Sequence, residues 1–172
     1  MHFRYPLETL AQKRFAPRQV EFARRARQAM RDTDDVRFES SDQGLKILAA
    51  DEDTLASVAQ VLRDLYGDFV EVRPPSVRLI PGNPAQQPVM SVRISTRRDF
   101  SGEVRGELAG RGATIFEECA RPRVFIVRGE APLAHLLGLP ARLAALTNGT
   151  AVHWIRLSHY APVPTGPEGL AA

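Results

Sequence analysis

At 172 residues the chain has room for one larger domain or two small ones. Hydrophobic residues at 44% and charged residues at 25% are ordinary for a globular chain, and no apolar run approaches the roughly 18 residues of a membrane span. The single cysteine, Cys119, excludes an internal disulfide and a cysteine metal cluster, and without an apolar leader in "MHFRYPLETL" the expected location is cytoplasmic.

The net charge of +3 is unevenly spread. Residues 1–31 carry eight basic and two acidic side chains, net +6; residues 32–75 carry four basic and eleven acidic, net −7; the rest carries eleven basic and seven acidic, net +4. Such asymmetry marks either an anion-binding face or a basic and an acidic helix lying side by side.

In chain order, "HFRYPL" reads as a short strand. Pro17 opens a helix over "RQVEFARRARQAMR", with Phe22, Ala26, Ala29 and Met30 on one stripe. "DVRFES" and "LKILAA" form a hairpin across "SDQG". Asp51-Glu52-Asp53 starts a second helix with Leu55, Val58, Ala59, Leu62 and Leu65 at helical spacing, Gly67 ends it, and "FVEVR" is a last strand. Those three carboxylates suit a helix cap and its dipole better than a magnesium site.

"IPGNPAQQP" interrupts the pattern as a linker. Beyond it, "VMSVRIS" alternates as a strand, and Asp99 or Ser101 caps a helix with Val104 and Leu108 inward. "ATIFEEC" and "RVFIVRGE" make a hairpin. Pro132 opens "PLAHLLGLPARLAALT", burying Leu133, Leu136, Leu137, Leu143 and Leu146, and Pro140 should distort or split that helix. "TAVHWIRLSHY" closes the chain as a strand, with Trp154 read as core. Both halves run β-α-β-β-α-β. The expected fold is α+β: two tandem ferredoxin-like domains with antiparallel sheets, at 1–80 and 89–164, joined by a linker at 81–88 and followed by a flexible tail at 165–172.

The sequence offers little catalytic chemistry. Neither Lys13 nor Lys46 follows a G-x-x-x-x-G loop, and G-x-S-x-G and H-E-x-x-H are absent. His153 and His159, six apart on one strand, are too distant to share a metal. Glu117 and Glu118 beside Cys119 work against a thiolate nucleophile. No enzyme activity, cofactor or metal is therefore expected. Arg97, Arg98, Arg105 and Arg111 gather around a helix, with Arg121 and Arg123 in a turn, an arrangement suited to gripping phosphates. Phe116 and Phe125 are the candidates for stacking bases on a sheet, although no RNA-recognition signature accompanies them.

"PVMSVRISTRRDFSGEVRGELAGRGATI" and "APLAHLLGLPARLAALTNGTAVHWIRLSHYAPVP" resemble the C-terminal, fifth domain of elongation factor G. The match runs through Pro88, Met90, Gly102, Gly106, Leu108, Arg111-Gly112, Pro132-Leu133, Gly138, Leu143, Thr147, Gly149 and Ser158-His159-Tyr160. The first half is similar, more weakly, to that factor's third domain. The chain departs from the family at Ala144–Thr150, where the family carries a basic stretch.

The resemblance implies two ferredoxin-like folds, no GTPase domain, and a His159-Tyr160 pair that only ends a strand. It also implies a ribosome- or translation-associated binding role, with large-subunit ribosomal RNA and proteins, or a translation factor, as partners. The starting methionine suggests a complete stand-alone protein. Alternative readings are a small regulatory or ligand-binding dimer formed through sheet edges, or an enzyme with a site between the domains. A membrane partner is not expected, and homo-oligomerisation is open.

Overall fold

The computed structural model describes residues 2–165. Strand β1 is Leu7–Lys13, with Leu7, Thr9 and Ala11 alternating inward. The strand expected at "HFRYPL" is displaced: His2–Arg4 form a single 3-10 turn. Pro6 has no N–H to give a ladder, so pairing begins after it, at Leu7 opposite Ala49. Tyr5 is buried instead, its hydroxyl donating to the Thr33 carbonyl at 3.1 Å.

Helix α1, Gln19–Ala29, has no side-chain cap of its own. The Gln19 amide closes the preceding loop by accepting from Lys13 N (2.9 Å) and donating to Lys13 O (2.8 Å). Phe22, Ala23 and Ala26 are buried, as is Met30 just past the helix, whereas Ala29, expected on the same stripe, is exposed. Strands β2, Val36–Ser40, and β3, Leu45–Ala49, form the hairpin. Its turn uses Gly44 at φ +142, where a Cβ would collide with the Ala11 carbonyl oxygen.

Helix α2, Glu52–Tyr66, is capped by the Asp51 carboxylate, which accepts from Thr54 N at 2.8 Å. Leu55, Val58, Ala59 and Leu62 are buried, but Leu65 is exposed. The two helices meet edge-on through Phe22 and Tyr66, with ring centroids 5.2 Å apart. Strands β4, Val70–Val72, and β5, Ser76–Val77, both pair with β1. The sheet order is β2-β3-β1-β4, antiparallel throughout: the ferredoxin-like order.

The first compact unit ends at Arg78 and the second begins at Leu79. Within the expected linker, Ile80 and Gln86 pair through reciprocal backbone hydrogen bonds of 2.9 Å. Strand β6, Gln86–Arg97, starts inside the stretch expected to be unstructured, so 86–88 are strand. Pro88 fits because β6 pairs there only with the strand Val152–Pro162, which is β9; pairing on its other side starts at Val89.

Helix α3 is Ser101–Gly110, with Val104 and Leu108 buried. Strands β7, Thr114–Ala120, and β8, Val124–Pro132, follow as a hairpin. The leucine-rich segment splits at Gly138 (φ +80) into α4, Leu133–Leu136, and α5, Leu139–Leu146, with Pro140 in the first turn of α5. Leu133, Leu136, Leu139 and Leu143 are buried, while Leu137 and Leu146 are only partly so. The sheet order β7-β8-β6-β9 repeats the topology of the first unit. Of the expected tail at 165–172, residues 166–172 lie outside the described residues.

Candidate nucleic-acid interface

The four arginines singled out from the sequence fall into different environments. Arg97, the last residue of β6, pairs with Asp99 at 2.9 Å. Arg98 is exposed in the 3-10 turn that follows, and its backbone N–H donates to the Arg123 carbonyl at 3.2 Å. That bond brings the β7–β8 turn, with Arg121 and Arg123, to the same end of the unit. Among the described residues, these three have no ion pair.

Arg105 forks onto both oxygens of Glu118, at 2.8 and 3.0 Å. The hydrogen bond first, and the charge attraction second, raise the Arg105 pKa; the same hydrogen bond leads in lowering that of Glu118. Arg111 is a structural clamp. Its Nε donates to Glu107 at 2.8 Å, and its Nη1 donates at 2.9 Å to the carbonyls of His135 and Leu137, at the end of α4. Its side chain is only 20% exposed. Arg142 donates to the other Glu107 oxygen at 3.3 Å. Burial pushes the Glu107 carboxyl upward, but hydrogen bonds and charge from Arg111 and Arg142 outweigh it and hold it below 4.5.

The sheet supplies a second surface that the sequence reading missed. On β6, Met90, Val92, Ile94 and Thr96 are buried, so period two turns Ser91, Arg93 and Ser95 to the opposite face. Register then sets Trp154 of β9, Arg93 of β6, Arg128 of β8 and Glu117 of β7 in one row across the sheet. Trp154, expected in the core, is 56% exposed. Ile155 and Leu157, half-buried opposite Val92 and Met90, take the inward positions of β9.

The Arg93 and Arg156 guanidiniums lie 5.9 and 5.4 Å from the Trp154 ring centroid, within cation–π range. Arg128 meets Glu117 at 3.4 Å, whereas Arg93 and Arg156 have no ion pair among the described residues. Ser91, Arg93, Arg128, Trp154 and Arg156 line a shallow groove of about 290 Å³. The signal was present in the sequence: Arg156 shares the parity of Trp154.

Of the two phenylalanines expected to stack bases, Phe125 is core at 1% exposure, facing the helices, and Phe116 is exposed at a register shift in β7. The pair His159-Tyr160 lies in β9 opposite Val89 and Pro88, and His159 Nδ1 is 3.1 Å from Ser158 Oγ. In the first unit, Lys13, Arg14, Arg18 and Arg25 border a cleft of about 250 Å³ beside Phe15, which is 94% exposed at φ 59. Arg14 there faces Glu71 at 3.8 Å.

Residues 86–168 match the family described as Elongation factor G C-terminus. The second unit is similar to that domain. Elongation factor G 2 of Hahella chejuensis (strain KCTC 2396) is 38% identical over 80 residues, 46% of this chain and 12% of that protein. Elongation factor G of Aquifex pyrophilus is 35% identical over 78 residues, 45% of this chain and 11% of that protein. The chain thus spans about a tenth of these relatives' length.

A crystal structure of a protein from Thermus thermophilus superposes on 92% of this chain and 41% of its own, with a TM-score of 0.63 at 13% identity, a likeness of fold alone. The family match starts at Gln86, so it covers the elongation factor G-like unit and leaves the first unit with its ferredoxin-like fold only. Among the described residues no helix is long and apolar enough to cross a membrane, and no three metal-ligating side chains cluster.

Proposed function

We propose that this protein is a non-enzymatic, cytoplasmic binding protein that associates with the ribosome, engaging large-subunit ribosomal RNA through its elongation factor G-like unit. The match of residues 86–168 to the elongation factor G C-terminus carries this reading. Two arginine groups without ion pairs among the described residues support it as phosphate contacts: Arg98, Arg121 and Arg123 at the turn end, and Arg93 and Arg156 on the sheet. Arg97 and Arg105 can join only by leaving Asp99 and Glu118, and Arg111 serves the fold.

Co-sedimentation with purified 70S ribosomes and isolated large subunits across a salt series tests the reading. The protein is expected to pellet with the large subunit at low salt and to be released as salt rises. Absence from the pellet at every salt concentration overturns the ribosomal role.

A further inference from the structure

We propose that the open sheet face around Trp154 binds an unpaired stretch of RNA, a base stacking on the Trp154–Arg93–Arg156 cluster while the flanking phosphates meet the guanidiniums. This deepens the ribosomal reading and rests on it for the choice of RNA. Three observations carry it. First, the largest apolar side chain in the chain stands more than half exposed on a sheet face while smaller neighbours on its own strand point inward. Second, two guanidiniums hold that ring without an acid to neutralise either among the described residues. Third, the short side chain of Ser91 takes the remaining corner beside them, opposite Arg156 and two residues from Arg93 on the same face, leaving a groove above the strand.

The nearest acids to weigh against this are Glu117, which Arg128 already occupies, and the half-buried Glu130, which shares a row with Ser91 and Arg156. The patch therefore keeps a positive excess. An apolar protein partner would have to strip water from two unpaired cations. An acidic peptide would use the cations and waste the ring. A nucleotide uses both, its base offering a π-face to the indole or a guanidinium plane and its phosphate a counter-charge. Bases within a duplex are already stacked on both faces, so the surface selects unpaired segments.

Trp154 is the only tryptophan, so its fluorescence reports the proposed site directly. Titrating the full-length protein with a ten-nucleotide oligoadenylate should quench it saturably, with quenching relieved by salt. Annealing the oligomer to its complement should abolish the effect. By anisotropy of a labelled oligomer, Trp154→Ala should weaken binding roughly 5- to 150-fold, the range for losing one base–aromatic stack, while Trp154→Phe should retain most of it. Arg93→Glu with Arg156→Glu should flatten the salt dependence by about 0.7 for each phosphate of a single strand that is no longer neutralised.

Equal quenching by single strand and duplex, no quenching at millimolar oligomer, or unchanged affinity of Trp154→Ala each overturns the proposal. If wild type and Trp154→Ala pellet equally with ribosomes while the oligomer does not quench, this site fails and the ribosomal reading stands. If the oligomer quenches Trp154 and Trp154→Ala loses affinity for it by anisotropy but nothing pellets, the site stands and the ribosomal reading fails.

Discussion

Truncating Arg111 tests whether the elongation factor G-like unit is held by its polar clamp as well as by its leucines. The Arg111 side chain satisfies two carbonyls at the end of α4, His135 O and Leu137 O, and half of the Glu107 carboxylate. Arg111→Ala leaves all three acceptors short of a donor; Glu107 is only 17% exposed and the bond to Leu137 O is part-buried, while water can reach the exposed His135 carbonyl. A hydrogen bond to a charged group contributes about 1.5–3 kcal/mol, but partial exposure lets solvent recover some of it, so a loss of about 2–3 kcal/mol is expected for the three together. At about 4–8 °C per kcal/mol for a domain of this size, that lowers the melting temperature by roughly 8–24 °C. Arg111→Lys should recover little of this, because an ammonium lacks the fork that spans the carboxylate and both carbonyls. The assay is thermal melting followed by Trp154 fluorescence, which reports the second unit because the chain's sole tryptophan lies there. Arg105→Ala is the control: it removes an equally well-formed fork onto Glu118 at an exposed site, and exposed pairs barely affect stability. A melting temperature for Arg111→Ala within about 2 °C of the control refutes the clamp.

Two further changes follow from the same unit. The Glu107 carboxyl is held below 4.5 in the folded state, so its contribution to stability is full above that pH and drains away as pH falls through the folded value. Glu107→Gln should therefore be less stable than wild type near neutrality, with the two melting curves converging as the pH falls through the lowered Glu107 value; parallel curves across the acid range contradict this. Gly129 of β8 has no room for a methyl group: a Cβ there would lie 2.5 Å from Thr114 O and 3.3 Å from Ile115 Cα, both backbone atoms of β7. Gly129→Ala should cost about 1–3 kcal/mol and raise amide exchange along β7 before β6 and β9 are affected; a neutral substitution means β7 shifts freely.

The alternation of "VRFES", "VMSVRIS" and "RVFIVRGE", and the 3.6-residue spacing of Leu55, Val58, Ala59 and Leu62, were enough to set the element order of both halves, because each pattern has one possible buried face. Two places resisted. "LETLAQK" has ordinary helix formers along its length, and only pairing with β3 and β4 makes it a strand. In "AVHWIRL" apolar residues occupy both parities, so hydrophobicity alone drew Trp154 inward, where Ile155 and Leu157 already stand. The arginine assignments failed to sort for a similar reason. The i,i+4 spacing of Glu107 and Arg111 is visible in the sequence, but the fork from Arg105 to Glu118 depends on how α3 sits against β7.

The charge excess of the last segment, diffuse in the sequence, acquires an address in the fold. Arg97, Arg105, Arg111, Arg128 and Arg142 use Asp99, Glu118, Glu107 and Glu117 within the unit. Arg93, Arg98, Arg121, Arg123 and Arg156 are the ones without an ion pair among the described residues, three at the turn end and two on the sheet. Each phosphate contact steepens the logarithmic salt dependence by about 0.7–0.9, so these five can supply a slope no steeper than roughly 3.5–4.5. A ribosome-binding slope within that bound is consistent with the second unit acting alone. A slope steeper than roughly 4.9–6.3, the bound once Arg97 and Arg105 leave Asp99 and Glu118 to join these five, requires cations of the first unit, of which Lys13, Arg18 and Arg25 around the exposed Phe15 are already gathered at one cleft. The slope of one salt series thus separates binding by the elongation factor G-like unit from binding by both.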